Sequence, residues 1–219
     1  MVWPCLSLRS APDLSLERMF RYGLSMPDLR AAVRAQLQRF ELEDEALVKA
    51  WAGMTECRKF ARGQILLQAG DTPRQFFLVL EGVGRQYYTT YQGRERNKAF
   101  FCEGGVLGSI SAILTRGSAP FSVDVIEDSL LAVTPVEPFL ALASRLPTIE
   151  ILLHRFTSYI LIRDEQREAI LLTGDMEARY RWVMEYEPWL LERVPQYQVA
   201  SYLGMDPVSL SRLKQGKSR

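Results

Sequence analysis

The chain has 219 residues, of which 47% are hydrophobic, and its formal net charge at pH 7 is +1. This length and composition suffice for one or two domains with packed cores, and the charge excludes a protein that is basic overall. No apolar run reaches membrane-spanning length, because the longest candidate, Ile149 to Ile162, is interrupted by His154 and Arg155.

The cysteines give no sign of a disulfide framework or of a metal-binding knuckle. Cys5, Cys57 and Cys102 are odd in number and lie far apart in the sequence. The N-terminal segment MVWPCLSLRS lacks the apolar core of a secretion signal. We therefore expect a cytoplasmic protein with no cofactor and no metal.

The N-terminal part of the chain contains a region without periodicity and then two helices. Residues 1–25 have no helical or strand period and are interrupted by prolines, which predicts a loose extension. From Met26, a candidate translation start, apolar residues recur at helical spacing and predict a first amphipathic helix. These residues are Leu29, Val33, Leu37 and Phe40. A second short helix is predicted over residues 46–54.

From Thr55 the pattern changes to short apolar runs separated by turns, most of which contain glycine. The predicted strands cover residues 64–67, 75–80, 84–91, 98–102, 122–126 and 130–133. A regular strand spacing of about 8–12 residues is typical of an antiparallel barrel or jelly roll.

After Pro147, residues 148–172 predict one long helix. Apolar residues on this helix recur at alternating three- and four-residue steps, as in the seam of a coiled coil. The predicted seam consists of Ile149, Leu153, Phe156 and Ile160, and Arg163, Arg167 and Ile170 continue its spacing. Such a helix covers the open face of the barrel, forms a dimer axis, or does both. Asp175 is then the predicted N-cap of a further helix.

Residues 194–215 predict two short helices joined by a tight turn. The first helix begins at Pro195 and ends at Gly204, and Asp206 caps the second helix, which starts at Pro207. The inward-facing residues of the pair are Val199, Ala200, Leu203, Leu210 and Leu213. A side chain as small as Ala200 allows the close crossing of a DNA-reading helix-turn-helix.

Local charge favours DNA binding over a plain helical hairpin, which is the alternative interpretation of this segment. Residues 207–219 contain four basic residues and no acidic residue, and phosphate contact needs only such a local patch. The outward-facing residues predicted to contact DNA are Val208, Ser209, Ser211, Arg212, Lys214, Gln215 and Lys217, with Arg219 as a further phosphate contact.

The segment ARGQILLQAGDTPRQFFLVLEGVGRQYY resembles the opening of a cyclic-nucleotide-binding β-roll. Together with the long helix and the terminal helix-turn-helix, residues 26–215 resemble the CRP/FNR family of bacterial transcription regulators. The resemblance implies an α+β fold: an antiparallel β-roll (jelly roll) with flanking helices, a long dimerisation helix and a small helix-turn-helix domain. The corresponding domain ranges are 26–146, 147–173 and 174–219.

The resemblance implies a homodimer that binds double-stranded DNA, senses a small-molecule effector in the roll and contacts RNA polymerase. Family members usually carry a β-hairpin wing after the recognition helix, and too few residues follow Gln215 to form a full wing. A ligand-binding adaptor with a vestigial helix-turn-helix is therefore the alternative function.

The phosphate-binding cassette of the family is altered in this sequence. Members that bind cyclic AMP carry a glycine–glutamate pair and then an arginine–serine pair, which hold the ribose and the cyclic phosphate. Gly108 matches the glycine, but Ser109 stands in the glutamate position, and Ala-Pro-Phe at 119–121 replaces the arginine–serine pair. Arg116 and Ser118 are the nearest substitutes. We expect these four residues to form an effector pocket that does not bind cyclic AMP.

Either another ligand occupies the roll, or side chains such as Phe121 fill it. The dispersed cysteines exclude an iron–sulfur cluster, and the single histidine, His154, is expected to be a packing or surface residue and not a haem ligand. An enzyme is not expected, because the metal site of a jelly-roll enzyme needs several histidines and a nucleophilic triad needs a base.

Overall fold

The computed structural model describes residues 26–216, so the predicted extension 1–25 and the predicted contacts Lys217 and Arg219 lie outside the described residues. Helices α1 (Met26–Arg39) and α2 (Glu45–Met54) come first. Within residues 26–216, no helix combines the length and apolarity needed to span a lipid bilayer.

The strands of the described part form two four-stranded sheets that are antiparallel throughout, with orders β1-β8-β3-β6 and β2-β7-β4-β5. Their bounds are β1 (Glu56–Phe60), β2 (Ile65–Leu67), β3 (Gln75–Glu81), β4 (Gly84–Thr89), β5 (Glu95–Phe101), β6 (Val106–Leu107), β7 (Ser122–Val125) and β8 (Ser129–Pro135). The mixed fold with an antiparallel roll that the sequence predicts is confirmed.

Helices connect and follow the strands. Helix α3 (Ile110–Thr115) lies between β6 and β7, and α4 (Val136–Ala141) follows β8 and leads into a 3₁₀ turn (Leu142–Ser144). The C-terminal helices are α5 (Thr148–Thr173), α6 (Met176–Tyr186), α7 (Trp189–Arg193), α8 (Gln196–Tyr202) and α9 (Pro207–Lys214).

Buried polar contacts hold the helices against the roll. Trp51 of α2 donates its indole N–H to Thr134 Oγ1 of β8 at 2.9 Å, and Thr55 Oγ1 donates to the Trp51 carbonyl at 2.8 Å. Asp44 caps α2 and also accepts a 2.6 Å hydrogen bond from Thr148 Oγ1 at the start of α5. Because one carboxylate serves both helix starts, the orientation of α5 depends on α2.

The predicted coiled-coil seam of α5 faces the protomer's own roll. Ile149 is completely buried in the core, Phe156 makes an edge-on contact with Phe40 at 5.8 Å between ring centroids, and Leu153 and Ile160 line the space between α5 and the roll. Within one protomer, Ile149 is fully buried and the other three residues are half-buried, so the apolar period of α5 is used at least in part to cover the roll, and the dimer seam stays a prediction. His154 lies on the exposed side.

The C-terminal helices begin and end at residues that the sequence marks. Asp175 accepts a 2.8 Å hydrogen bond from the Ala178 N–H and so caps α6. Gly204 has φ +63, and Asp206 Oδ1 accepts from the Ser209 N–H at 2.9 Å at the start of α9. Pro195 lies one residue outside α8, as its N-cap, and not at the first helical position.

Helix α8 packs directly on the outer face of β5. The side chain of Tyr202 is fully buried, and its ring lies edge-on to Phe100 at 5.7 Å between centroids. Asn97 donates from Nδ2 to the Gln198 carbonyl at 2.9 Å and from its N–H to Ser201 Oγ at 3.2 Å. The boundary predicted at residue 174 stays a prediction, since residues from both sides of it share this apolar cluster.

A second contact between the C-terminal helices and the roll is ionic. Arg193, at the end of α7, pairs with Glu103 and with Glu127, each at 2.6 Å. Burial alone raises the pKa of Glu103, but hydrogen bonds from Arg193 and from the Gly82 N–H outweigh burial and hold this pKa below its ordinary value. The stabilisation is therefore present above the ordinary glutamate pKa and is lost as the pH falls through the lowered value.

Glu103→Gln is expected to lower the free energy of unfolding by about 1.5 kcal/mol at pH 7, because Arg193 loses its most buried anionic partner. The difference from the unsubstituted protein should shrink as the pH falls through the lowered pKa of Glu103, where Glu103 itself becomes protonated. Urea unfolding of both proteins at pH 7 and at acid pH measures this difference in the free energy of unfolding. Glu56→Gln, in an exposed pair with Arg58, is the control and should change stability by less than about 0.5 kcal/mol. Equal effects of Glu103→Gln at pH 7 and at acid pH would contradict the assignment.

Candidate functional site

A cavity of about 350 Å³ lies between the β-roll and α5. Its walls come from both sheets and from α1 to α5, and most of the lining side chains are apolar. The aromatic part of the lining consists of Phe40, Trp51, Phe76, Tyr88, Phe101, Phe121, Phe139 and Phe156. This volume and this composition are typical of pockets that bind small molecules.

Charged groups in the cavity are concentrated at its α5 end. Lys98 Nζ donates to Asp164 Oδ2 at 2.6 Å, and Arg163 Nη2 donates to Asp164 Oδ1 at 2.7 Å. Lys98 lies 5.4 Å from the centroid of the Phe121 ring, and Arg163 lies 5.1 Å from that of Phe101. Burial lowers the pKa of Lys98, although the bond to Asp164 opposes the shift.

The structure brings only one of the four predicted effector residues to the cavity. Gly108 lines it and accepts a 2.8 Å hydrogen bond from Gln86 Nε2. Ser109 is buried and caps α3 by accepting from the Ala112 N–H, so its hydroxyl is used locally. Arg116 and Ser118 are exposed on the loop after α3, outside the cavity lining.

Arg116 lies outside the cavity lining, so in this structure it does not take the position of the arginine that holds the cyclic phosphate. Its side chain is 76% exposed, and its Nη2 atom lies 3.7 Å from Glu137 Oε2. Phe121 lies in the cavity wall and does not fill the cavity. Sequence reasoning missed Gln86, Lys98 and Asp164, and the one available signal was a lysine within an otherwise apolar predicted strand.

A polar cluster around α5, with members from β5 and from the residue after α6, connects the cavity to the C-terminal helices. We define the α5 cluster as Lys98, Arg163, Asp164, Arg167 and Glu187. Arg167 donates from Nη2 to the Tyr202 carbonyl at 2.6 Å and to the Asn97 carbonyl at 3.1 Å. Burial raises the pKa of Glu187, despite the opposing hydrogen bond from Tyr202 and the charges of Arg163 and Arg167.

The second helix of the helix-turn-helix, α9, presents its predicted DNA-contacting residues to different extents. Val208 is 59% exposed, whereas Leu210 is fully buried and anchors the helix. The hydroxyl of Ser209 donates to Asp206 Oδ2 at 2.6 Å, so this side chain serves the cap. Ser211 is half-buried, and the side chains of Arg212, Lys214 and Gln215 are exposed.

The two helices of the motif are held at a fixed crossing. Ala200 is completely buried between them, and Gln196 Nε2 at the start of α8 donates to the Pro207 carbonyl at 3.2 Å. Within the described part of the chain, neither Arg212 nor Lys214 forms an ion pair. The positive charge of α9 is thus directed to solvent.

Comparison with known proteins agrees with this architecture. A family model for the cyclic nucleotide-binding domain matches residues 57–145. The chain is 30% identical over 126 residues to the cyclic AMP receptor protein of Thermus thermophilus, covering 57% of this chain and 56% of that protein. The chain therefore spans just over half the length of this curated relative.

Solved structures share the fold at low sequence identity. The c-di-GMP responsive global regulator CLP of Xanthomonas campestris has a TM-score of 0.65 at 15% identity, covering 79% of this chain and 91% of that chain. FixK2 of Bradyrhizobium japonicum has a TM-score of 0.66 at 18% identity, covering 74% of this chain and 83% of that chain. Residues 57–145 are thus similar to the cyclic nucleotide-binding domain family, and the chain as a whole has the fold of these solved structures.

Proposed function

We propose that this protein is a homodimeric, sequence-specific DNA-binding transcription regulator whose roll senses an effector other than cyclic AMP. The observation that carries the proposal is α9, a capped helix whose basic side chains are exposed and which packs on α8 in a helix-turn-helix. A recognition helix needs such a surface to enter the major groove and to contact phosphates. The fold belongs to a family of regulators and not of enzymes, which supports the same function.

Residues on α9 divide into base-reading and phosphate-contacting groups. Arg212 has the fork geometry that matches O6 and N7 of guanine, and Val208 offers an apolar contact to a thymine methyl group. Lys214, like Lys217 beyond the described residues, is suited to phosphate contact. The hydroxyl of Ser209 is bonded to Asp206 in the cap of α9, so we assign Ser209 to stabilising the start of the helix and not to reading a base.

Arg212→Ala is expected to weaken binding to the best operator by about 1–3 kcal/mol and to relax specificity at one base position. Genomic footprinting with the purified protein identifies the operator, and competition titrations then measure the loss. Arg62→Ala, which removes the same charge from an exposed turn of the roll, is the matched control and should leave specificity unchanged. Absence of any protected operator would favour the ligand-binding adaptor instead.

The dimer surface that we propose is the outer face of α5. Four large apolar side chains on this face are exposed: Ile151 (47%), Leu161 (57%), Ile162 (56%) and Leu172 (77%). At 3.6 residues per turn they fall within about 100° of the helix circumference. Two such faces packed together bury these side chains and place two recognition helices on one DNA duplex.

Replacing both Ile162 and Leu172 with glutamate is expected to convert the dimer into a monomer, because four carboxylates would then face each other across the two-fold axis. Sedimentation velocity measures the change in mass, and DNA affinity should fall with it, since each monomer reads only one half-site. Ile65→Glu, at a 53% exposed position of β2, is the control and should leave the dimer intact. An unchanged dimer in the double variant would place the interface elsewhere.

Cyclic AMP fits the cavity poorly. A buried cyclic phosphate without a guanidinium partner costs several kcal/mol. Arg116 points to solvent, and Arg163 is already paired with Asp164 at 2.7 Å. Ser109, in place of the ribose-binding carboxylate, is occupied in the cap of α3.

Calorimetric titration with cyclic AMP and with cyclic GMP is expected to give no measurable heat, because the cavity offers no unpaired guanidinium for the cyclic phosphate and no carboxylate in the ribose-binding position. The loss of several kcal/mol moves micromolar affinity to the millimolar range. Micromolar binding of either nucleotide would overturn this part of the proposal.

A further inference from the structure

We propose that the cavity between the roll and α5 binds an apolar molecule that carries one anionic head group, with this head group at Lys98. The inference rests on the proposed function, because it names the chemical class of the effector. It depends on the cavity alone, however, and its test does not involve DNA.

The walls of the cavity select an apolar body. Ring faces and aliphatic side chains surround most of the space, including Trp51, Phe76, Phe121, Phe156 and Ile160. The indole N–H of Trp51 is already bonded to Thr134 Oγ1, so it offers no donor to a ligand. A space lined mostly by such groups favours apolar molecules over polar ones.

The head group is assigned by the donors of Lys98. An ammonium group has three N–H donors, and among the described residues only Asp164 accepts one of them. The side chain of Lys98 is 16% exposed, so water reaches the remaining donors only partly. An acceptor on a ligand within the cavity would satisfy them, and a charged acceptor forms the stronger bond.

The sign of the head group follows from the charges around it. In the α5 cluster three cationic side chains, Lys98, Arg163 and Arg167, face two carboxyl groups, Asp164 and Glu187. At least one positive charge therefore has no anionic partner within this partly buried cluster. A single anion neutralises it, whereas a cationic head group would add to it.

The test is isothermal titration of the full-length protein with three probes that share one alkyl chain: decanoate, decan-1-ol and decylammonium, all below micelle-forming concentrations. Decanoate is expected to bind at least about tenfold more tightly than decan-1-ol, because only the carboxylate forms a charge-assisted bond with Lys98. Decylammonium is expected to bind weakest. Since this comparison uses the unsubstituted protein, it requires no variant to fold.

Two variants locate the binding. Lys98→Met should abolish the preference for decanoate and keep binding of decan-1-ol, because the apolar walls are unchanged. Ile160→Trp, which places a larger ring in the cavity, should weaken both probes. Circular dichroism checks that both variants are folded.

Each contrary result overturns a defined part of the inference. Equal affinities for decanoate and decan-1-ol, or a preference that survives Lys98→Met, would overturn the head-group assignment. Binding of neither probe would overturn the ligand class. If footprinting finds an operator but decanoate does not bind, this inference is wrong and the proposed function stands. If decanoate binds but footprinting finds no operator, this inference stands and the proposed function is wrong.

Discussion

The structure depends on the need to cover both faces of β5. The strand does not alternate between buried and exposed residues, because Ala99, Phe100 and Phe101 are all buried. Phe101 lines the cavity on one side, and Phe100 packs on Tyr202 of α8 on the other. A strand that is apolar on both faces needs a layer on each side. The roll, α5 and the helix-turn-helix therefore form one packed assembly.

A buried ionic network sets the register of this packing. Arg85 of β4 makes two 2.8 Å hydrogen bonds to Asp124 of β7 and a 2.7 Å ion pair with Glu95 of β5. It also donates to Asn97 Oδ1 at 3.0 Å, which leaves the Asn97 amide group to hold the Gln198 carbonyl of α8. Because a buried charge without partners is costly, the network favours one arrangement of these elements over shifted ones.

Much of the architecture follows from sequence patterns, because hydrophobic period and capping residues act locally. The long helix and the caps at Asp175 and Asp206 are read directly from such signals. Strand β1 was not predicted, since its sequence ECRKF is mostly charged and its side chains are half-buried or exposed. Strand β6 has only two residues, too few to show a period.

The predicted effector residues and the predicted dimer seam of α5 show which features a sequence pattern alone does not determine. The period of α5 reveals an apolar face, but it does not say whether that face meets the same protomer or another copy. Lys98 and Asp164 are 66 residues apart in the chain and meet only through the tertiary fold. In the same way, Arg116 lies close to Gly108 in sequence and points elsewhere, because the loop after α3 turns its side chain to solvent.

The position of β5 between cavity and helix-turn-helix has a thermodynamic consequence. The cavity and the helix-turn-helix share β5 and the α5 cluster, so the proposed binding of a ligand at one and of DNA at the other would belong to one free-energy cycle. If an occupant of the cavity changes the affinity for DNA by some factor, DNA must change the affinity for that occupant by the same factor. The protein bound to its operator and the protein free in solution would then differ in their affinity for the same small molecule.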